Sequence, residues 1–258
     1  MRGVVAALVL VAGCDALWRI DAILPPTPDA PRALDAAMAD GRAHTGPFAH
    51  FTMDMLNDDS TATVDSVGGY VATCQGGCPY AVTGHVDGAL DFAGLNGNAQ
   101  RLEVTADAPF QIVDQFSVAG WVQMGSLAAE GCLWSKPYST GNQNSWQVCI
   151  NSGGSIGFFT YGPGASAPAV TSDGWVMLDG AFHHVAMVFD GTNKLLYWDG
   201  EIAAMAPSTA PLVDADTVLI GNDLDGGSYV APLVGIVDDV QFFDYGLTAA
   251  EVATLRAQ

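Results

Sequence analysis

Positive charge is scarce in this sequence: eight Lys and Arg stand against twenty-eight Asp and Glu among 258 residues. A surface so poor in cations cannot neutralise a run of phosphates, which excludes nucleic acid and anionic membrane surfaces as partners. A net charge of −20 fits instead cation binding, neutral glycans or basic proteins, or it serves solubility alone. Glutamate is scarce too. Glu103, Glu130, Glu201 and Glu251 are the four, so nearly all acids are Asp, a bias towards turns rather than helices. Helical periodicity is missing until the last residues, and no repeat of solenoid or propeller length occurs, which leaves short strands as the main element.

No apolar run reaches the roughly 20 residues that cross a bilayer. The nine-residue run Val4 to Ala12 follows Arg2 and reads as the core of an export signal. It ends in Leu10-Val11-Ala12-Gly13-Cys14, which resembles a bacterial lipobox. Residues 1–13 are then the signal peptide, and Cys14 is the lipidated first residue that anchors the protein to a membrane of the bacterial cell envelope. Residues 14–45 are rich in Pro and Ala and read as a tether, with a short helix near Ala33 to Ala39. The folded domain spans 46–258.

Cysteine is sparse as well. Setting Cys14 aside leaves Cys74, Cys78, Cys132 and Cys149, an even number that suits an oxidising compartment. A hairpin centred between Thr140 and Gly141 sets Cys132 opposite Cys149, and Cys74 with Cys78 then closes the CQGGC loop. A four-Cys zinc site is the competing arrangement.

What the chain has in plenty is short β-type runs between Gly, Asn and Asp. Phe182 to Gly200 holds two apolar runs joined by an Asp-Gly turn and closed by a second, with a third run beyond, a meander of antiparallel strands. Further runs are ALDFAG, FSVAGWVQM, CLWSK, SWQVCIN, IGFFTY, TVLIGN and GIVDDVQFFDY. Thr248 and Glu251 form a capping box that opens one short C-terminal helix. The expected fold is all-β: two antiparallel sheets packed as a sandwich.

Several motifs, taken in order, resemble the concanavalin A-like, laminin G-like jelly-roll family. They are His50 to Asp54, Asp65-Ser66-Val67-Gly68-Gly69, Gly88 to Phe92, Phe116 to Val122, His183-His184-Val185-Ala186 with Trp198-Asp199-Gly200, and Gly235 to Val240 followed by Leu247 to Val252. The resemblance covers about Phe48 to Leu255. It implies a jelly-roll sandwich, and a structural calcium held between an early loop and the closing strand. That places Asp65 against Asp238 or Asp239, with Asp223 and Asp225 as a weaker second site.

Catalytic patterns fail on inspection. Glucanases of this fold carry E-x-D-x-x-E on one strand, and no Glu of this chain sits in such a motif. Asp238 and Asp239 are adjacent, so a strand sends them to opposite faces. Gly153 to Gly157 matches G-x-S-x-G, but strands are expected on both sides, where a nucleophile elbow needs strand, turn and helix. His183 and His184 are adjacent too, one lining the core and one facing the sheet surface. For ligand contact the candidates are Lys136, Tyr138, Asn142 and Asn144 on the Cys132–Cys149 hairpin, with Trp175 and Tyr229 on loops; Trp121 and Trp198 are expected in the core. The expected function is a lipid-anchored, non-catalytic recognition module for a glycan or a protein. The alternatives are a polysaccharide hydrolase or lyase of the same fold, or a structural envelope lipoprotein.

Overall fold

Among the described residues, short β-branched and aromatic runs punctuated by turn residues give eighteen strands, one short 3-10 helix (Ala108–Phe110) and one α-helix in the computed structural model. It describes residues 46–57, 59–93, 100–104, 108–139, 143–162, 165–171 and 178–258. The export signal, Cys14, the tether with its helix, Asn142 and Trp175 lie outside the described residues.

In chain order the strands are β1 (Ala49–Phe51), β2 (Ala62–Val64), β3 (Val71–Gln75), β4 (Tyr80–Thr83), β5 (Gly88–Phe92), β6 (Arg101–Val104), β7 (Phe116–Gln123), β8 (Gly131–Pro137) and β9 (Asn144–Ile150). They continue with β10 (Ile156–Gly162), β11 (Ala165–Thr171), β12 (Phe182–Phe189), β13 (Asn193–Trp198), β14 (Glu201–Pro207), β15 (Val218–Ile220), β16 (Asp223–Asp225), β17 (Ser228–Val230) and β18 (Gly235–Phe243). The helix α1 is Ala249–Arg256. The first sheet runs β14-β13-β12-β7-β18-β5-β4, with β1 also paired to β18; the second runs β11-β10-β9-β8-β15-β6-β3-β2. Strands β16 and β17 form a separate hairpin. All pairings are antiparallel, as the sandwich expectation required.

The inner faces of the two sheets share one core. Phe116 of the first sheet packs against Trp146 and Phe158 of the second, at 5.9 and 6.4 Å between ring centroids. The β12–β13–β14 meander forms as the sequence predicts. Asp199 and Gly200, both with positive φ (48° and 87°), make the two-residue turn that pairs Trp198 with Glu201. A second apolar cluster lies on the outer face of the first sheet, where Val252 of α1 covers Ala186, Val188, Leu195 and Tyr197. The capping box is present, with the Thr248 hydroxyl accepting from the Glu251 N–H.

Both expected disulfides form. Cys132 and Cys149 are register partners on β8 and β9 with Cα atoms 3.9 Å apart; Cys74 and Cys78 are 5.1 Å apart. Gly153 to Gly157 joins β9 to β10 as a hairpin turn in which the Asn151 carboxamide accepts from the Gly153 and Ser155 N–H groups, so Ser155 has no elbow.

Candidate functional site

Alternation along the second sheet sends Leu102, Trp134, Trp146, Val148, Phe158 and Ile220 into the core and turns their neighbours to the opposite face. One row crosses that outer face in register: Thr73, Glu103, Leu219, Ser135, Gln147 and Phe159. The next row holds the Cys132–Cys149 disulfide opposite Gly157. Gly157 matters here because the Phe159 ring lies against it. A Cβ at that position would stand 2.6 Å from the ring, closer than carbon atoms approach. Tyr161, two residues on and on the same face, packs against Tyr138 with 5.6 Å between ring centroids. Phe159, Tyr161, Tyr138 and Gln147 are all half-buried, so this face offers partly accessible rings beside an amide.

The β16–β17 hairpin adds the polar part. Asp223 is buried and its carboxylate accepts from the Asn144 Nδ2 at 3.0 Å, while the same Nδ2 also donates to Gln147 Oε1. Burial pushes the Asp223 carboxyl up, and the neighbouring Asp225 charge adds to it, against the donation from Leu224, Ser135 and Asn144. Asn144 Oδ1, Asn222 Nδ2 and Ser145 Oγ are buried with no hydrogen-bond partner. On the other flank Tyr229, 41% exposed, lies over the Arg101 guanidinium at 3.3 Å and donates its hydroxyl to Glu103 at 2.8 Å. Arg101 is also paired to Glu103 at 2.8 Å. The result is an exposed ring clamped from below by an ion pair.

Of the residues singled out in the sequence, Tyr138, Asn144 and Tyr229 come to this face. Lys136 does not, and its reading as a contact group is corrected. A register shift between Cys132 and Trp134 turns the following residues over, so Lys136 points inward, fully buried. Its ammonium donates to the Asp214 and Asp216 carbonyls at 3.0 and 2.6 Å, closing one end of the sandwich. Phe159 and Gln147 were missed. The signal that finds them is the pairing register of β9 and β10, which the even hydrophobicity of IGFFTY conceals.

The sequence sets Asp65 against either Asp238 or Asp239 for a calcium; Asp239 and Asp65 both bond to His50, whereas Asp238 meets other groups. Asp65 accepts from the His50, Val67, Gly68 and Tyr70 N–H groups with both its oxygens. Burial raises this carboxyl, yet those four donors outweigh it and hold it below the ordinary range. Asp239 Oδ1 accepts from the His50 Nε2 at 2.7 Å. Asp238 lies elsewhere, its Oδ2 accepting from the His85 and Val86 N–H groups at the β4–β5 turn. Its separation from Asp239 follows from a bulge, with the register against β7 shifting after Asp238 and Asp239 at φ 48°. Donors thus take both oxygens of Asp65 and one oxygen each of Asp238 and Asp239, while Asp238 Oδ1 is left without a partner, so Asp65 is the acid least free to ligate a hard cation. Among the described residues no group of three or more His, Cys, Asp or Glu is arranged to hold a metal ion.

Trp121 is also corrected. It is buried, but on the outer face of the first sheet, between its register partners His184 and Asp238 and beneath the stacked His85 ring at 3.5 Å. Trp198 is in the core as expected. His184 is buried on that outer face, and burial lowers it to about 4. His183 points the other way and bridges Asp199 and Asp179 at 2.8 and 3.1 Å. Burial works to lower its pKa, but the two carboxylates outweigh that and raise it.

Solved structures share this fold at low identity. The binding domain of Paraclostridial Mosquitocidal Protein 1 superposes with a TM-score of 0.65 at 11% identity, covering 82% of this chain and 51% of that one. The binding domain of botulinum neurotoxin DC, in complex with SialylT, gives 0.58 at 12% identity, covering 80% and 51%. Domain 4 of AbnA, a GH43 extracellular arabinanase from Geobacillus stearothermophilus, in complex with arabinotriose, gives 0.62 at 17% identity, covering 83% and 100%. The chain spans about half the length of the toxin binding domains. No curated protein sequence matches it. A family model of the concanavalin A-like lectin/glucanases matches residues 96–253. With the sandwich topology and that match over more than half of its length, the chain belongs to the concanavalin A-like lectin/glucanase superfamily.

Proposed function

We propose that this protein is a non-catalytic recognition module that binds a glycan on the outer face of its second sheet. The observation that carries the reading is the combination of half-buried rings with buried amides on one face. Phe159 lies against Gly157, with Gln147 its register partner and Asn144 and Asp223 adjoining. Apolar ring faces cover the C–H faces of a sugar, while amides and carboxylates fix its hydroxyls. Support also comes from the bound arabinotriose of the AbnA domain and the SialylT of the neurotoxin domain, which share the fold. A protein ligand is the other class such a surface serves, and the neurotoxin DC domain also occurs in complex with rat synaptotagmin II.

Export and anchoring through Cys14 belong to the same proposal and rest on the lipobox-like Leu10 to Cys14. The module would then stand on the bacterial cell envelope, held to the membrane by lipid and lifted from it by residues 14–45.

Glycan-array binding combined with a product assay on soluble polysaccharides tests the function. Retention without turnover is expected, whereas released oligosaccharide would overturn it in favour of a hydrolase or lyase. Labelling with a palmitate analogue tests the anchor: wild type is labelled and Cys14→Ala is not, and equal labelling would remove it.

A further inference from the structure

Resting on the glycan reading, we propose that this face selects uncharged sugars and rejects acidic ones. The argument is electrostatic and local. Glu103, Asp223 and Asp225 flank the face on the hairpin side, and Asp214 reaches the Tyr138 side, where its carboxylate accepts from the Ser139 N–H at 2.6 Å. Of these acids Glu103 is paired, to Arg101, and the three aspartates outnumber the basic side chains of the sheet. Among the described residues the strands of this sheet carry two basic side chains, Arg101 and Lys136. Arg101 is paired to Glu103 and covered by the Tyr229 ring, and Lys136 faces the interior on two backbone carbonyls.

The unpartnered groups match the same class of ligand. Asn144, 8% exposed, leaves an acceptor oxygen without a partner, and Asn222, fully buried, leaves a donor. A hydroxyl both donates and accepts, so it suits groups of both kinds if either amide turns towards the face, since both atoms are closed off from solvent. A carboxylate or sulfate only accepts, and here it would also approach two or more like charges. At separations of about 7 Å in a largely hydrated groove each repulsion is below 1 kcal/mol, and together they weaken binding roughly tenfold at low ionic strength.

The test applies the full chain to an array on which each neutral oligosaccharide sits beside its sialylated or sulfated counterpart, at low and high salt. The neutral members are retained and their acidic counterparts held roughly tenfold less at low salt. The gap narrows as salt rises, and narrows in Asp225→Asn at low salt. Acidic counterparts held as well as the neutral ones would overturn the selectivity while leaving the glycan reading in place. If no oligosaccharide of either kind is held, both fall.

Discussion

Asp238→Asn probes the buried acid at the centre of the first sheet's outer face. The Asp238 carboxylate is inaccessible, with Oδ2 accepting two backbone N–H groups and Oδ1 unpartnered. Burial, with the Asp239 charge added, pushes its pKa up from 3.8 to about 6, against the donation from Val86, His85 and Asp239. The folded state therefore holds the proton between pH 3.8 and about 6, where the unfolded chain has lost it. Because the unfolded state binds fewer protons there, stability falls as pH rises through that window and stays lower above it. With each pKa unit equal to 1.36 kcal/mol, the loss is about 3 kcal/mol. Asn keeps the acceptor oxygen and cannot ionise, so the variant lacks this loss.

His184 acts with the opposite sign. Its folded value near 4 lies below 6.5, so the unfolded chain takes the proton first and stability falls as pH drops from 6.5 to about 4. The two groups oppose each other in the wild type, and removing Asp238 uncovers the His184 slope. The assay is urea denaturation of wild type and Asp238→Asn at pH 4, 5, 6, 7 and 8 (~1-unit steps across the window). The difference in unfolding free energy should move by about 3 kcal/mol in favour of the variant between pH 4 and 7. A difference that does not change with pH would refute the reasoning, because a pure packing effect of the substitution carries no pH dependence.

Replacing Gly157 by Ala should displace the Phe159 ring, costing about 1–3 kcal/mol of stability by overpacking and weakening glycan retention; unaltered denaturation and binding would contradict the close ring contact. Loss of the Cys132–Cys149 bridge, which spans 17 residues, should cost about 3 kcal/mol, against about 2 for Cys74–Cys78; equal or reversed losses in urea would contradict this order. Because backbone donors hold both oxygens of Asp65, EDTA should leave the Tm unchanged, and a fall restored by calcium would contradict that account.

The fold was legible because local chemistry dictates it. Asp199-Gly200 takes a two-residue hairpin turn almost unaided, and the symmetric spacing around YSTGNQN sets Cys132 against Cys149. The candidate face was harder to read because it depends on register. One irregularity after Cys132 decides that Lys136 faces inward, and nothing in GCLWSKP announces it. Phe158 and Phe159 are chemically identical, yet one is core and the other lies on the surface over Gly157. The acids are hard to read for a related reason: the family motif marks a place in the chain, while the bulge at Asp239 and the donors on Asp65 decide what each carboxylate meets.

The central claim is that the outer face of the second sheet binds sugar. The most direct measurement compares affinity for a neutral oligosaccharide retained on the array among wild type, Phe159→Ala, Tyr229→Ala and Met205→Ser, the last on the exposed edge of the first sheet. Loss of one stacking ring should weaken binding roughly tenfold, on the order of 1–2 kcal/mol, while Met205→Ser leaves it unchanged. Full affinity in Phe159→Ala and Tyr229→Ala, with loss in Met205→Ser, would contradict the account.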